Sequence, residues 1–273
     1  MPGRIIREIL QSVKAEVEDV DAVKAEKVVM GLGYTAVQLS TGHVGLCYTF
    51  SSEMAPDCCQ IWRKAGTLAG SPAIKIAELS LSWDLSETVV GVAALNALSQ
   101  LVIEKNLERY MIFEGNLIDQ LEIRRNDTVV LIGNIYPFIP KITGKTGNIF
   151  VLERNPKLRG VNVFPDTAVE EILPQATVAI ITGTALANGT IDRLLELSKN
   201  AREVALVGPT ASMFPDPLFK HGVSIIGGIK ITDAEKILQI VSEGGGTPSF
   251  KEACKQIVIK PKQHTKVFNN RFV

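Results

Sequence analysis

Residues 177–190 read Thr-Val-Ala-Ile-Ile-Thr-Gly-Thr-Ala-Leu-Ala-Asn-Gly-Thr: an apolar run, Thr177 to Ile181, that stops at Thr182-Gly183-Thr184 and gives way to small and turn-forming residues. The pattern recurs on both sides of it. Thr128 to Ile132 runs into Gly133-Asn134, and Val204 to Val207 runs into Gly208-Pro209-Thr210. Strand, glycine turn and helix in repetition mark a parallel sheet whose turns all open on one edge. Ligands of such sheets bind outside the carboxyl ends of the strands. The stretch therefore fixes a binding edge before it says anything about a ligand.

Working outward, the spacing predicts strands at 128–132, 149–152, 177–181, 204–207 and 223–226. Between them it predicts a helical turn at 135–142 and helices at 167–173, 189–198, 215–220 and 232–243. This is a Rossmann-like, doubly wound α/β domain. A last strand-like run, Gln256 to Ile259, joins an edge or returns to the preceding domain. The polar stretch Arg124-Arg125-Asn126-Asp127 ends a linker, and the chain divides into domains 1–120 and 121–273.

The N-terminal part reads as a smaller α+β domain. Ile5, Ile6, Ile9, Leu10, Val13 and Val17 give an amphipathic helix. Three segments, Lys27 to Leu32, Tyr34 to Ser40 and His43 to Phe50, are joined by Gly33 and Thr41-Gly42, short links that favour an antiparallel meander. Helices follow at 73–79 and 86–103. The second carries Gly91, Ala93, Ala94 and Ala97, small enough for another backbone to approach, and Asn96, which inside an apolar helix needs a hydrogen-bond partner or a cavity.

Composition narrows the function classes. The 273 residues are 46% hydrophobic, enough for a large core, and Lys plus Arg equals Asp plus Glu at 29 each. That balance gives no broad basic face, so nucleic acid is not an expected partner. Thr88 to Ile103 is interrupted by Asn96, Ser99 and Gln100 and falls short of the roughly 18 apolar residues of a membrane span. With no apolar signal-peptide core at the N-terminus, the expectation is a cytoplasmic protein. Cys47, Cys58, Cys59 and Cys254 show no C-x-x-C spacing, and no disulfide framework is expected.

The motifs exclude more than they assign. A dinucleotide site would show G-x-G-x-x-G after the first strand and an acid about 20 residues on. Glu153 fits that acid, but Gly133-Asn134-Ile135-Tyr136-Pro137-Phe138 puts bulky side chains where the later glycines belong, so NAD is not expected. Gly144-Lys145-Thr146 resembles a P-loop ending, yet position 139 is Ile and the segment precedes a strand, which reads as a turn with a solvated lysine. Helix N-termini expected at 182–190 and 208–212 suit an anionic group, with Asn188 or Thr190 and Asp192 serving their own helix. His43 and Cys47 lie about 13 Å apart along a strand, too far for one ion. His221 and His264 stand alone, and the Cys58-Cys59 pair makes a weak soft-metal site. No G-x-S-x-G elbow or patterned triad appears.

The segments Gly31-Leu32-Gly33-Tyr34-Thr35-Ala36-Val37, Ile181 to Thr190 and Val207-Gly208-Pro209-Thr210-Ala211-Ser212 resemble the "putative heavy-metal chelation" family over nearly the whole chain. The resemblance implies a Rossmann-like C-terminal domain preceded by an enolase N-terminal-like domain. It also implies a pocket between them, and a role in handling a metal or a metal-carrying small molecule related to corrinoids. Metal or metal chelate is thus the expected cofactor or ligand. In this reading Gly133, Asn134, Thr182, Gly183, Thr184, Asn188, Gly208, Pro209 and Thr210 supply the ligand-binding turns, Tyr34 and Asn96 close the site from the first domain, and Glu153 and Asp166 contact hydroxyl, amine or metal groups. The alternative is a metal-independent transferase or lyase acting on a small anionic or nucleotide-like metabolite, with Glu153 or Asp166 as base. Whether the chain is an enzyme, and whether it forms a homo-oligomer, stay open at this point.

Overall fold

The structure, a computed structural model, describes residues 3–54, 62, 64–160 and 163–262. In chain order the first part contains α1 (Arg4–Glu16), β1 (Ala25–Met30), β2 (Tyr34–Leu39), β3 (Val44–Tyr48), α2 (Ala73–Ala77) and α3 (Leu85–Lys105). Then come β4 (Tyr110–Glu114), α4 (Leu117–Gln120), β5 (Thr128–Ile132), α5 (Ile139–Thr143), β6 (Asn148–Glu153), β7 (Val163–Pro165) and α6 (Val169–Ile172). The chain continues through β8 (Val178–Thr182), α7 (Thr184–Ala187), α8 (Ile191–Leu197), β9 (Glu203–Val207), α9 (Asp216–Lys220), β10 (Ile225–Ile231), α10 (Ala234–Ser242) and β11 (Cys254–Pro261).

Strands β1, β2 and β3 form the antiparallel meander. The other eight make one sheet in the order β4-β11-β10-β9-β8-β5-β6-β7. Within it β7, β6, β5, β8, β9 and β10 run parallel and repeat the Rossmann order, 3-2-1-4-5-6, with the strand order reversing between β5 and β8. The run Gln256 to Ile259 lies within β11, which is antiparallel and inserted between β10 and β4. The sheet thus begins at Tyr110, ahead of the division at residue 120 expected from the sequence. Two strands have no counterpart in the expected series, the edge strand β4 and the three-residue β7, and neither do the short helices α4 and α7.

The central parallel strands β5, β8 and β9 are apolar and buried along their middles because both faces of the sheet are covered there. Val130, Ile181 and Leu206 face the core that also holds α1 and α3, while Val129, Leu131, Ile180 and Ala205 face a second core with Leu117 and Ile142. Alternate residues go to opposite faces, as the pleat demands. The first part of the chain is packed onto the sheet through a continuous core. Helix α3 is long and apolar enough to cross a membrane, but 83% of its most apolar window is buried inside the fold. Its small residues serve β3: a Cβ on Gly45 would stand 2.2 Å from the Ala93 carbonyl oxygen and the Ala97 nitrogen, so strand and helix backbones touch.

Candidate functional site

The three glycine turns meet at the carboxyl edge, and their glycines answer to different constraints. Gly133 and Gly208 have φ of 95° and 110°, the left-handed region that favours glycine. Gly183 has ordinary dihedrals, but a Cβ there would come within 2.5 Å of the Ala211 nitrogen, so the turn after β8 lies directly against the turn after β9. A Cβ on Gly133 would meet the Thr182 side chain at 3.1 Å, which closes the gap between β5 and β8 where the strand order reverses.

At that reversal the sequence-predicted polar residues Asn134, Glu153, Thr182 and Thr184 come together. The Glu153 carboxylate accepts from the Asn134 amide and the Asn155 amide, each at 2.8 Å, so one oxygen holds each turn. The Asn134 side chain donates to the Leu158 carbonyl at 2.8 Å, and its own amide oxygen is buried without a donor. The Thr182 and Thr184 hydroxyls share a hydrogen bond of 3.0 Å. From the first part of the chain, Glu53 reaches Arg154 at 2.8 Å. Burial raises the Tyr48 hydroxyl above its ordinary value, and the nearby negative charges of Glu153 and Glu53 push it the same way. Asp166 stands apart, half exposed, 3.6 Å from Arg159.

The expected anion-binding helix ends do not form as full helices. After β8 the chain makes a single turn, Thr184–Ala187, capped at Asn188, and the longer helix starts only at Ile191. After Gly208 there is one 3-10 turn, Pro209–Ala211. Single turns align few peptide dipoles, and two of their amides are taken within the turns, Leu186 on Gly183 and Ala211 on Gly208. Asn188 accepts from the Thr190 amide and hydroxyl. Asp192, expected to serve its own helix, instead accepts from the Arg4 and Ile5 amides at 2.5 and 3.1 Å and caps α1.

Thr210 and Asn96 join the two parts of the molecule. Thr210 Oγ1 accepts from the Tyr48 amide at 3.0 Å, and Asn96 Nδ2 donates to the Leu46 carbonyl at 2.7 Å and the Thr210 carbonyl at 3.1 Å. Asn96 is fully buried, and its Oδ1 has no donor. Beside it lies a cavity of about 300 Å³ between the β2–β3 turn, α3, the turn after β9 and the carboxyl end of β10. Its wall includes Asn96, Gln100, Pro209 and Ser212, with His43, Glu104 and Lys230 also on its lining. Gln100 donates to the Ser212 carbonyl at 2.7 Å, His43 Nε2 lies 3.0 Å from Glu104, and Lys230 lies 3.9 Å from the same carboxylate. Asn96 and Pro209 are the sequence-predicted residues on this wall. His43, Gln100 and Ser212 stand out in the sequence for other reasons and not as lining of a site, and Glu104 and Lys230 carry no motif; the signal that points to the helical ones is that Asn96, Gln100 and Glu104 recur every fourth residue as a polar stripe on an otherwise apolar helix.

The remaining expected residues lie elsewhere. Tyr34 does not border the cavity; its ring packs edge-on against Tyr48 and Phe250, with centroids 5.8 and 4.9 Å away, and burial raises its hydroxyl well above the ordinary value. Lys145 donates to the Ile118 carbonyl at 3.0 Å and Thr146 to the Asp127 carbonyl at 2.7 Å, so the P-loop-like segment is a structural turn and its lysine is tethered. His221 pairs with Glu8 at 3.0 Å on the surface. Cys47 is fully buried, and burial raises its thiol, which keeps it a poor metal ligand. Among the described residues no group of three or more His, Cys, Asp or Glu side chains is arranged to hold a metal. Cys58, Cys59 and His264 lie outside the described residues.

Two family models, both described as putative heavy-metal chelation, match the chain, one over residues 116–260 and the other over residues 14–99. An uncharacterized protein of Methanocaldococcus jannaschii is 33% identical over 184 residues, which make up 66% of this chain and 68% of that protein. The crystal structure of a DUF364-family protein of unknown function from Pyrococcus horikoshii is similar with a TM-score of 0.79 at 26% identity, covering 94% of this chain and 99% of that one. A second, from Desulfitobacterium hafniense DCB-2, has a TM-score of 0.76 at 23% identity, covers 93% and 98% of the two chains, and bears on the fold alone.

Proposed function

The chain belongs to the family described as putative heavy-metal chelation, and on that premise we propose that it binds a small polar molecule in the cavity beside Asn96, the metal entering within that molecule and not as a bare ion. The observation that carries this reading is the polar group that meets on the cavity lining, Gln100 of the helix with His43, Glu104 and Lys230, residues far apart in the chain and held together by the Glu104 carboxylate.

The donor set argues against a bare ion. Soft metals select thiolates and imidazoles, whereas the cavity offers one imidazole, already paired with Glu104, beside a lysine. Its volume of about 300 Å³ sits at the low end of ligand pockets. It suits a metabolite-sized molecule, or one polar arm of a larger chelate, and is too small for a whole macrocycle. Glu153, with both oxygens on backbone amides, is read as a group that holds the turns in place and not as a general base.

A thermal-shift screen of the full chain tests this, using bare divalent metal ions, simple organic metal chelates, corrinoids, and the metal-free form of each organic compound. A ligand at about 100 times its Kd stabilises by about 2.7 kcal/mol, roughly 5–10 °C for a chain of this size. Ala234→Phe, which places a ring on the cavity lining, is expected to abolish the best shift. A shift given by bare ions alone, or one indifferent to Ala234→Phe, would sink the proposal.

A further inference from the structure

The eight-stranded sheet has two edges, and they are built differently. One ends in β7, which is three residues long and closes on Pro165. Short length and proline are the usual devices that keep an edge from pairing. The other ends in β4, Tyr110-Met111-Ile112-Phe113-Glu114, with no proline, no lysine and no break in its register with β11. Met111, Ile112 and Phe113 are 36%, 38% and 38% exposed, and Leu107 just ahead of them is 51% exposed. A continuous apolar edge of this kind is a template for another strand.

The hydrogen bonding of β4 shows which groups it offers. Gly115 donates to the Gln256 carbonyl, and Lys262 donates to the Arg109 carbonyl. In an antiparallel pair the bonded positions alternate, so the odd-numbered residues of β4 direct their backbone groups to β11 and Tyr110, Ile112 and Glu114 direct theirs outward. The Tyr110 amide turns back to the Leu107 carbonyl. The outer edge is left with the amides of Ile112 and Glu114 and the carbonyls of Tyr110, Ile112 and Glu114, and no strand among the described residues pairs with them.

We infer that the occupant of this edge is a second copy of the chain, with the two β4 strands antiparallel about a two-fold axis at Ile112. In that register the two Ile112 residues exchange both backbone bonds, and each Glu114 amide donates to the Tyr110 carbonyl of the second copy. Met111 lies opposite Phe113 of the other strand, a sulfur–aromatic contact, and Ile112 lies opposite itself. A two-fold contact requires such a self-complementary patch. Charge favours the same register. Glu114, bridged within its own chain to Lys255, arrives at the end of the second copy that carries Lys262, Arg109 there being already paired with Glu16 and Asp216, whereas a shift that centres the axis on Glu114 sets two carboxylates opposite each other.

Sedimentation velocity of the full chain over a wide concentration range tests this. The wild type is expected at twice the chain mass. Ile112→Pro removes an outward amide and leaves the β11 ladder untouched, and Phe113→Lys puts a charge in the contact. Each is expected to weaken the dimer at least tenfold, while circular dichroism confirms the fold. Trp83→Ser, at an exposed apolar site away from β4, is expected to stay dimeric. A monomeric wild type, whether its edge is open or covered by residues 263–273, would overturn the inference. So would two β4 variants that remain fully dimeric, or a dimer lost only in Trp83→Ser.

Discussion

Asn96 and Asp127 show how single polar residues inside an apolar fold are made tolerable. Asn96 could be singled out in the sequence because an amide in an apolar helix needs a partner or a cavity, and it has both: Nδ2 joins α3 to β3 and to the turn after β9, and Oδ1 is left over beside the cavity. Asn96→Ala should lower stability by about 2 kcal/mol in urea unfolding, since two carbonyls lose their donor; a change within a few tenths would show that solvent replaces those bonds. Asp127 belongs to a stretch that reads as linker, yet only 4% of it is exposed. Burial pushes its carboxyl up, but the Arg124 amide, the Thr177 hydroxyl and the Arg202 guanidinium outweigh that and hold it below the ordinary 3.8. A depressed carboxylate stabilises the fold above its unfolded value and loses that contribution as pH falls through the folded one. Asp127→Asn is therefore expected to cost about 2 kcal/mol at neutral pH by weakening the bonds from the Arg124 amide, the Thr177 hydroxyl and Arg202, for which Glu203 at 4.0 Å is the remaining carboxylate, with the gap narrowing below about pH 4. Unfolding midpoints that stay parallel down to about pH 2.5 would contradict this assignment. Asp192 could not have been placed this way from the sequence, because the helix it caps begins 188 residues earlier.

At the level of elements, legibility followed the strength of the local pattern. The central parallel strands and the meander were readable from their apolar runs and glycine links, and α3 from its small residues, which do receive the β3 backbone. Gly45→Ala is expected to cost on the order of 3 kcal/mol, because neither backbone can yield to a Cβ at 2.2 Å. A stable Gly45→Ala protein, by thermal unfolding, would mean that β3 and α3 can separate. Strand β4 carries little local signal, because its partner β11 follows about 140 residues later and the turn Gly115-Asn116 marks its end but not its pairing. The helix ends after β8 and β9 were overestimated for a related reason. Asn, Gly and Thr mark a turn equally well whether one helical turn or a full helix comes after it, and the length depends on how closely Gly183 packs on Ala211.

The whole molecule is a Rossmann-ordered sheet, extended by two antiparallel strands and roofed by the first part of the chain through a shared core. The sequence was informative about the carboxyl edge and silent about how much of it the roof would fill. Thr210 and Gly183 became packing contacts, while His43, Glu104 and Lys230, remote from one another in the chain, met on the cavity lining. No local spacing encodes that meeting, since it depends on the register between the meander and β10. The central claim is that a small polar molecule occupies this cavity and that metal comes with it. Native mass spectrometry of the full chain, titrated separately with bare metal ions and with intact organic metal chelates, tests it most directly. The expected result is a stoichiometric adduct with the mass of an intact chelate, absent in Ala234→Phe. A bare-ion adduct, an adduct unaffected by Ala234→Phe, or no adduct with any chelate would contradict it.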